Sequence, residues 1–191
     1  MILRVMLAAA ACAAFCSGCV PVKPTIQNYS KDGIEFSYYS NWVVQKDAPL
    51  ENKPTIRSIQ LSGPGHAHIS FICAPASSQQ KLAQYADAVA AGRKTAIEKK
   101  LTIGTVKAAD VDKGTSESVV ARVGGHEETG ILQRFTVDVL GNPVPHEARF
   151  FMVVSGKYKV MVMTQVSQRH LESTRAAMEL TLDSLRVVAP P

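Results

Sequence analysis

The chain is short of the residues that usually announce a chemistry. Its four cysteines stand at positions 12, 16, 19 and 73. Beyond residue 19 a single thiol, Cys73, remains, so the body of the chain has no internal disulfide framework. Aromatic residues are 6% of the sequence, with Trp42 the one tryptophan. They are not interleaved with basic residues, and no dense basic run exists, which excludes a nucleic-acid surface. The basic pairs Arg93-Lys94 and Lys99-Lys100 fall late in a predicted helix, where cations complement the dipole; they read as a solvated helix end. No apolar stretch reaches the ~20 residues that a membrane-crossing helix requires. Gly124-Gly125 does not lead from a strand into a helix, so it is a turn rather than a phosphate cradle. No catalytic constellation stands out, and we expect no catalytic residue, no cofactor and no enzymatic activity.

What is present begins at the N-terminus. Arg4 supplies one positive charge, Val5 to Phe15 is an unbroken run of apolar and small residues, and Cys16-Ser17-Gly18-Cys19 closes it. That is a charged region, an apolar region and a small-residue cleavage site. The ending resembles a bacterial lipobox, with Ser17-Gly18-Cys19 in its last three positions and Cys16 where Leu is usual. The resemblance implies cleavage after residue 18 and acylation of Cys19, because a thiol can carry a diacylglycerol thioether and small neighbours admit the site to a peptidase. Each buried methylene adds about 0.8 kcal/mol, so several chains on one residue hold the protein on a membrane that it does not span. Val20 after the cysteine, rather than Asp, implies the outer membrane facing the periplasm in a diderm host.

The expected organisation is a signal peptide over 1–18, a lipidated cysteine and tether over 19–28, one domain over 29–188 and a tail over 189–191. Val20-Pro-Val-Lys-Pro24 reads as an extended tether. The excess of 21 Lys and Arg over 16 Asp and Glu is mild. Ile34, Phe36 and Tyr38 alternate with Glu35, Ser37 and Tyr39, the period of a half-buried strand. Trp42 is expected as a core anchor at the next strand entry. Strands are predicted over Arg57–Leu61 and His68–Cys73, split by the turn Ser62 to Gly65. Ser77 with Gln80 forms a capping-box pattern, after which Leu82, Tyr85, Ala86 and Val89 recur at helical spacing through Lys100.

Further strands are predicted over 102–109, 118–123, 131–140, 148–154 and 158–166, with glycine-containing turns between the later ones. Phe150 to Val154 and Val160 to Met163 are apolar on both faces, so both sides of the sheet must be covered there. Leu171, Met178, Leu182 and Leu185 mark a C-terminal amphipathic helix. The fold class is α+β: an antiparallel β-sheet flanked by helices.

The most suggestive polar pair is His66-Ala-His68, because residues two apart on a strand share a face and could share a metal. No third ligand is visible nearby; His126-Glu-Glu128 or His146-Glu147 could supply one only through the fold. Cys73 falls on the strand face opposite that pair and reads as a small buried hydrophobe. Glu127, Glu128, Asp110 and Asp112 sit in turn-like polar segments, and Gln45 to Pro54 reads as a long polar contact loop.

The strand Gly33-Ile-Glu-Phe-Ser-Tyr-Tyr-Ser-Asn-Trp42 resembles the opening of PsbP/DcrB-like domains, with Ser40 where proline is common. The closing Leu182-Asp-Ser-Leu-Arg-Val187 is similar to the end of that family's pattern. The resemblance implies an α/β/α sandwich and a non-enzymatic accessory or binding role. The expected protein is a bacterial lipoprotein held to membrane lipid through Cys19, with an envelope protein as partner. The alternative is a small-molecule or metal-binding protein using the His66/His68 strand.

Overall fold

The computed structural model describes residues 23–188 apart from 101, 104, 105, 108 and 113, and over 97–109 the backbone alone. The expected signal peptide, Cys19 and the 189–191 tail lie outside the described residues. In chain order the elements are β1 (Ile26–Lys31), β2 (Ile34–Tyr39), β3 (Val43–Leu50), β4 (Lys53–Ser62), β5 (His68–Pro75) and α1 (Leu82–Lys100). Then follow β6 (Thr102–Ile103), β7 (Val106–Lys107), β8 (Ala109–Val111), β9 (Thr115–Val123), β10 (His126–Val139), β11 (Asn142–Ser155) and β12 (Tyr158–Ser167). Helix α2 (Leu171–Asp183) and β13 (Arg186–Val187) complete the chain.

The main sheet has the order β3-β4-β5-β12-β11-β10-β8, with β9 also on β10. The chain runs inward through β3, β4 and β5, crosses one face as α1 and re-enters at the far edge. It then meanders back until β12 pairs antiparallel with β5. This closure puts β11 and β12 in the middle, which explains their two apolar faces. Phe150, Met161 and Met163 join Tyr85, Ala86 and Phe135 in a core under α1. Phe151, Val160 and Val162 join Ile69, Phe71, Met178 and Leu182 in a core on the other face. Consecutive strand residues point to opposite faces, and each fully buried large apolar side chain contributes about 1.5–3 kcal/mol.

The second face is covered by α2 and by a separate small sheet of order β1-β2-β13. Tyr29, Phe36 and Phe71 stack in a column, with successive ring centroids 4.6 and 4.7 Å apart, tying β1 and β2 to β5. Ser37 N–H donates to Ser184 Oγ at 2.8 Å, and that hydroxyl donates to Leu180 O at 2.6 Å, joining β2 to the end of α2. Trp42 is 3% exposed, the core anchor expected of it. Gly63 leaves room for its indole, since a Cβ there would overlap the ring. Pro143 and Pro145 fall inside β11 but beyond the end of β12, whose pairing stops at His146. Their missing N–H groups therefore cost no ladder bond on that side.

Several local expectations are corrected. Strand β1 begins at Ile26, inside the stretch read as tether, because Ile26 to Lys31 pairs with Tyr39 to Ile34. Gln45 to Pro54 is not a loop: it forms most of β3, a tight turn and the start of β4. Its polar residues tolerate a strand because it is the sheet edge and because Asp47 is neutralised by Arg57 and Lys31. The capping box does not form on Ser77, as α1 begins at Leu82. The reciprocal bond is instead made by Gln84 Oε1, which accepts from Lys81 N–H at 3.0 Å. The predicted 102–109 strand is broken into the two-residue pair β6–β7 and the start of β8. Residues after the C-terminal helix do not fade out; Arg186 and Val187 pair with Glu35 and Ile34.

Candidate functional site

The two candidate histidines do not share a strand face. His66 is exposed in a 3₁₀ turn over Pro64–His66 with φ +59°, and only His68 belongs to β5. The alternation that would align them is broken at the turn. Burial pushes the His68 imidazole below its usual pKa, partly offset by a hydrogen bond to the Leu61 backbone. His126 lies in β10, while His146 lies in β11, stacked on Phe135 with centroids 5.4 Å apart. Among the described residues no three His, Cys, Asp or Glu side chains converge where they could hold a metal.

Cys73 is 4% exposed within the core of the α2 face, and burial pushes its thiol up to about 12. At neutral pH it is a thiol, not a thiolate, and thus a poor nucleophile. Glu127 and Glu128 are in strand β10 rather than a turn, and Asp110 is in β8. Asp112 caps a loop by accepting from Thr136 N–H at 2.9 Å. None of these carboxylates is set against a second catalytic group. Arg93 also departs from expectation. Its guanidinium lies 3.7 Å over the Phe135 ring and its Nε donates to Gln165 Oε1 at 3.1 Å. Burial lowers its pKa to about 10, so it is packed against the sheet rather than solvated.

A concave feature lies elsewhere, between α2 and the β9–β10 hairpin. Gly130, in the middle of β10, is pressed against the Phe150 carbonyl and the Phe151 ring, where a Cβ would overlap both. This close approach, which only glycine permits, lets β9 come near β11 and α2. Two bonds hold it there. Gly124 N–H donates to Leu182 O at 2.9 Å, and Arg122 Nε donates to Asp183 Oδ1 at 3.2 Å.

Between these walls is a groove of about 540 Å³. Val120, Ala121 and Arg122 line one side, and residues of α2 including Ala176, Leu180 and Asp183 the other. Thr164, Glu147 and Arg149 form the floor. Glu147 is 9% exposed. Its Oε1 accepts from Arg149 Nε and lies against Arg149 Nη2, each at 2.9 Å. A charge held that far from water is tolerated because it is paired. The groove thus combines apolar walls, a polarised floor and opposite charges at the rim, the pattern of a recognition site. Its lining includes no serine, cysteine, histidine or lysine.

These features define an α+β domain with a groove beside α2 and an antiparallel sheet covered on both faces. No protein-family model matches the sequence, and no curated protein matches it. Among solved structures, the chain is similar to cyanobacterial PsbP (CyanoP) from Synechocystis sp. PCC 6803, in solution. That likeness has 15% identity and a TM-score of 0.48, and covers 89% of this chain and 96% of that one. It is also similar to LpqN of Mycobacterium tuberculosis, described as involved in cell envelope biogenesis. There the identity is 10% and the TM-score 0.30, covering 90% of this chain and 87% of that one. At these values the likeness is one of general architecture, and no residue role passes from either protein.

The α2/β9 groove had one partial marker in the sequence. Glu147 and Arg149 are two apart on one strand, which places them on one face. That signal was available, but what stands over that face depends on α2 and β9 arriving from distant parts of the chain.

Proposed function

We propose that this protein is a bacterial envelope lipoprotein, held to membrane lipid through acylated Cys19, whose α+β domain binds another envelope protein in a non-enzymatic accessory role. The observation that carries the reading is the α2/β9 groove: it offers apolar walls over a buried Glu147–Arg149 pair, and its lining includes no serine, cysteine, histidine or lysine. Ser17-Gly18-Cys19 supplies the anchor, and the acyl chains bring the groove to a partner in the same membrane or facing it. In a diderm host that membrane is the outer one, with the domain facing the periplasm. No cofactor enters this role.

Crosslinking in native membranes followed by affinity recovery and mass spectrometry tests it, comparing the wild-type chain with Cys19→Ala and Ala176→Tyr. Ala176 is an exposed helix residue lining the groove, so tyrosine fills the groove without entering the core. One reproducible partner, lost in both variants, is the expected result. A partner retained by Ala176→Tyr would remove the groove from the reading. Substrate turnover by the purified full chain would remove the non-enzymatic role.

A further inference from the structure

We infer that the free edge of β9 adds an extended segment of the partner polypeptide as a further strand, with a carboxylate of that segment meeting Arg149 at the groove floor. This rests on the binding role proposed above and specifies its geometry. Val120, Ala121 and Arg122 are consecutive and all line the groove. Side chains of neighbouring strand residues point to opposite faces, so three in succession can line one space only where it opens along the main-chain edge. On its inner side β9 pairs with β10 continuously from Thr115 to Val123. On its outer side no strand of the described residues pairs with it.

Exposed edges are normally protected by proline, bulges or irregular pairing. Strand β3, at the opposite edge, has these devices: its register shifts between Val44 and Lys46 and again between Pro49 and Leu50. Strand β9 has no proline and no register shift over Thr115-Ser-Glu-Ser-Val-Val-Ala-Arg-Val123; its charges are Glu117 and Arg122, the latter drawn to Asp183 of α2, and Val120 is 61% exposed. Its outward N–H and C=O groups are placed to pair with an incoming chain.

The chemistry of the occupant follows from the other surfaces. An added strand gains affinity from main-chain bonds and specificity from alternate side chains. Those directed into the groove meet Ala176 and Leu180 on one side and Arg149 below. Arg149 spends Nε and Nη2 on the single oxygen Glu147 Oε1, and its Nη1 makes no hydrogen bond to a described residue. A guanidinium edge with free donors matches a carboxylate. At the rim, Arg122 is paired with Asp183 and Arg175 with Glu172. Arg149 is paired too, with Glu147, but of the three it is the one on the groove floor, where an added strand sets a side chain over its remaining Nη1 donors. An apolar helix would use neither the strand edge nor this donor, and a free small molecule would not need the edge.

The probe is a capped pentapeptide, acetyl-Val-Thr-Glu-Val-Thr-amide, added to the full chain purified from membranes in detergent. Hydrogen-exchange mass spectrometry reports on residues 115–123 and fluorescence polarisation of a labelled copy gives affinity. Saturable binding that slows exchange in β9 is expected. N-methylation at alternate peptide positions should weaken it about tenfold in one of the two registers, since each main-chain bond is worth roughly a factor of ten or less. Glu→Gln in the peptide should weaken it several-fold. Val120→Pro should abolish binding, and because the peptide modifications leave the protein untouched, a misfolded variant does not blunt the test. No saturable binding up to millimolar peptide, equal binding by both N-methylated forms, or protection elsewhere would overturn the inference. A partner crosslink that needs Ala176 while the peptide fails would show that the groove binds in another geometry, which separates the two failures.

Discussion

The contact most open to a quantitative test is the carboxylate of Asp47, where the small sheet is fastened to the large one. Its side chain is 15% exposed. It accepts from Arg57 Nε at 2.6 Å and Nη2 at 3.0 Å, from Lys31 Nζ at 2.6 Å and from the Tyr29 hydroxyl at 2.9 Å. Arg57 also donates to Lys31 O at 3.1 Å and pairs with Asp32 at 3.2 Å. Asp47→Asn keeps the shape, removes the charge and turns an amide N–H₂ toward donors. Breaking a buried pair costs 3–5 kcal/mol; with water still reaching part of this one, we expect about 2–3 kcal/mol. For a domain of this length that lowers Tm by roughly 5–10 °C.

The pH dependence has a fixed sign. Hydrogen bonds from Arg57, above all, with those from Lys31 and Tyr29, outweigh burial and hold the Asp47 carboxyl well below its ordinary value of 3.8. The stability it adds is therefore fully present above that value and is lost as pH falls toward the folded pKa. Urea denaturation followed by Trp42 fluorescence at several pH values measures it. The gap between wild type and Asp47→Asn should be constant from pH 7 to about pH 5 and shrink steadily below pH 4. A variant within about 0.5 kcal/mol of wild type at pH 7, or a gap unchanged on acidification, would refute the network as a clamp. A double-mutant cycle with Arg57→Met assigns the shared part to the pair.

Three further outcomes are expected. Gly130→Ala forces a Cβ against the Phe150 carbonyl and Phe151 ring; it should cost about 1–3 kcal/mol by overpacking and displace the β9 hairpin, so partner crosslinking should fall even where the variant remains folded. Cys73, with its thiol pushed up to about 12 by burial, should resist a thiol reagent at pH 8 in the native chain and react at once in urea; rapid native labelling would contradict its burial. Purification without chelator should leave metal content unchanged between wild type and His66→Ala/His68→Ala, as measured by elemental analysis, because one ring sits on a turn and the other on β5.

Much of the domain was legible because period carries the information. The two-residue alternation of Ile34, Phe36 and Tyr38, the glycine turns at 124–125 and 156, and the helical spacing from Leu82 are local properties of the chain. The doubly apolar runs at Phe150–Val154 and Val160–Met163 already required two covered faces. Other features are set by pairing between distant segments. Gln45 to Pro54 looks like a loop until Arg57 neutralises Asp47. Arg93 looks solvated until α1 lays it on Phe135. The small sheet exists only because Arg186 and Val187 return to β2.

The groove between α2 and β9 belongs to the second kind. By itself the sequence determined the α+β class and most core positions, since these depend on residue type and spacing along one segment. Only the tertiary structure decided that Glu147 and Arg149 lie beneath α2, that no strand of the described residues pairs with the outer edge of β9, and that His66 and His68 do not share a strand face. These outcomes depend on how strands β9–β12 and helix α2 close on one another, and such non-local packing leaves no periodic trace in the chain.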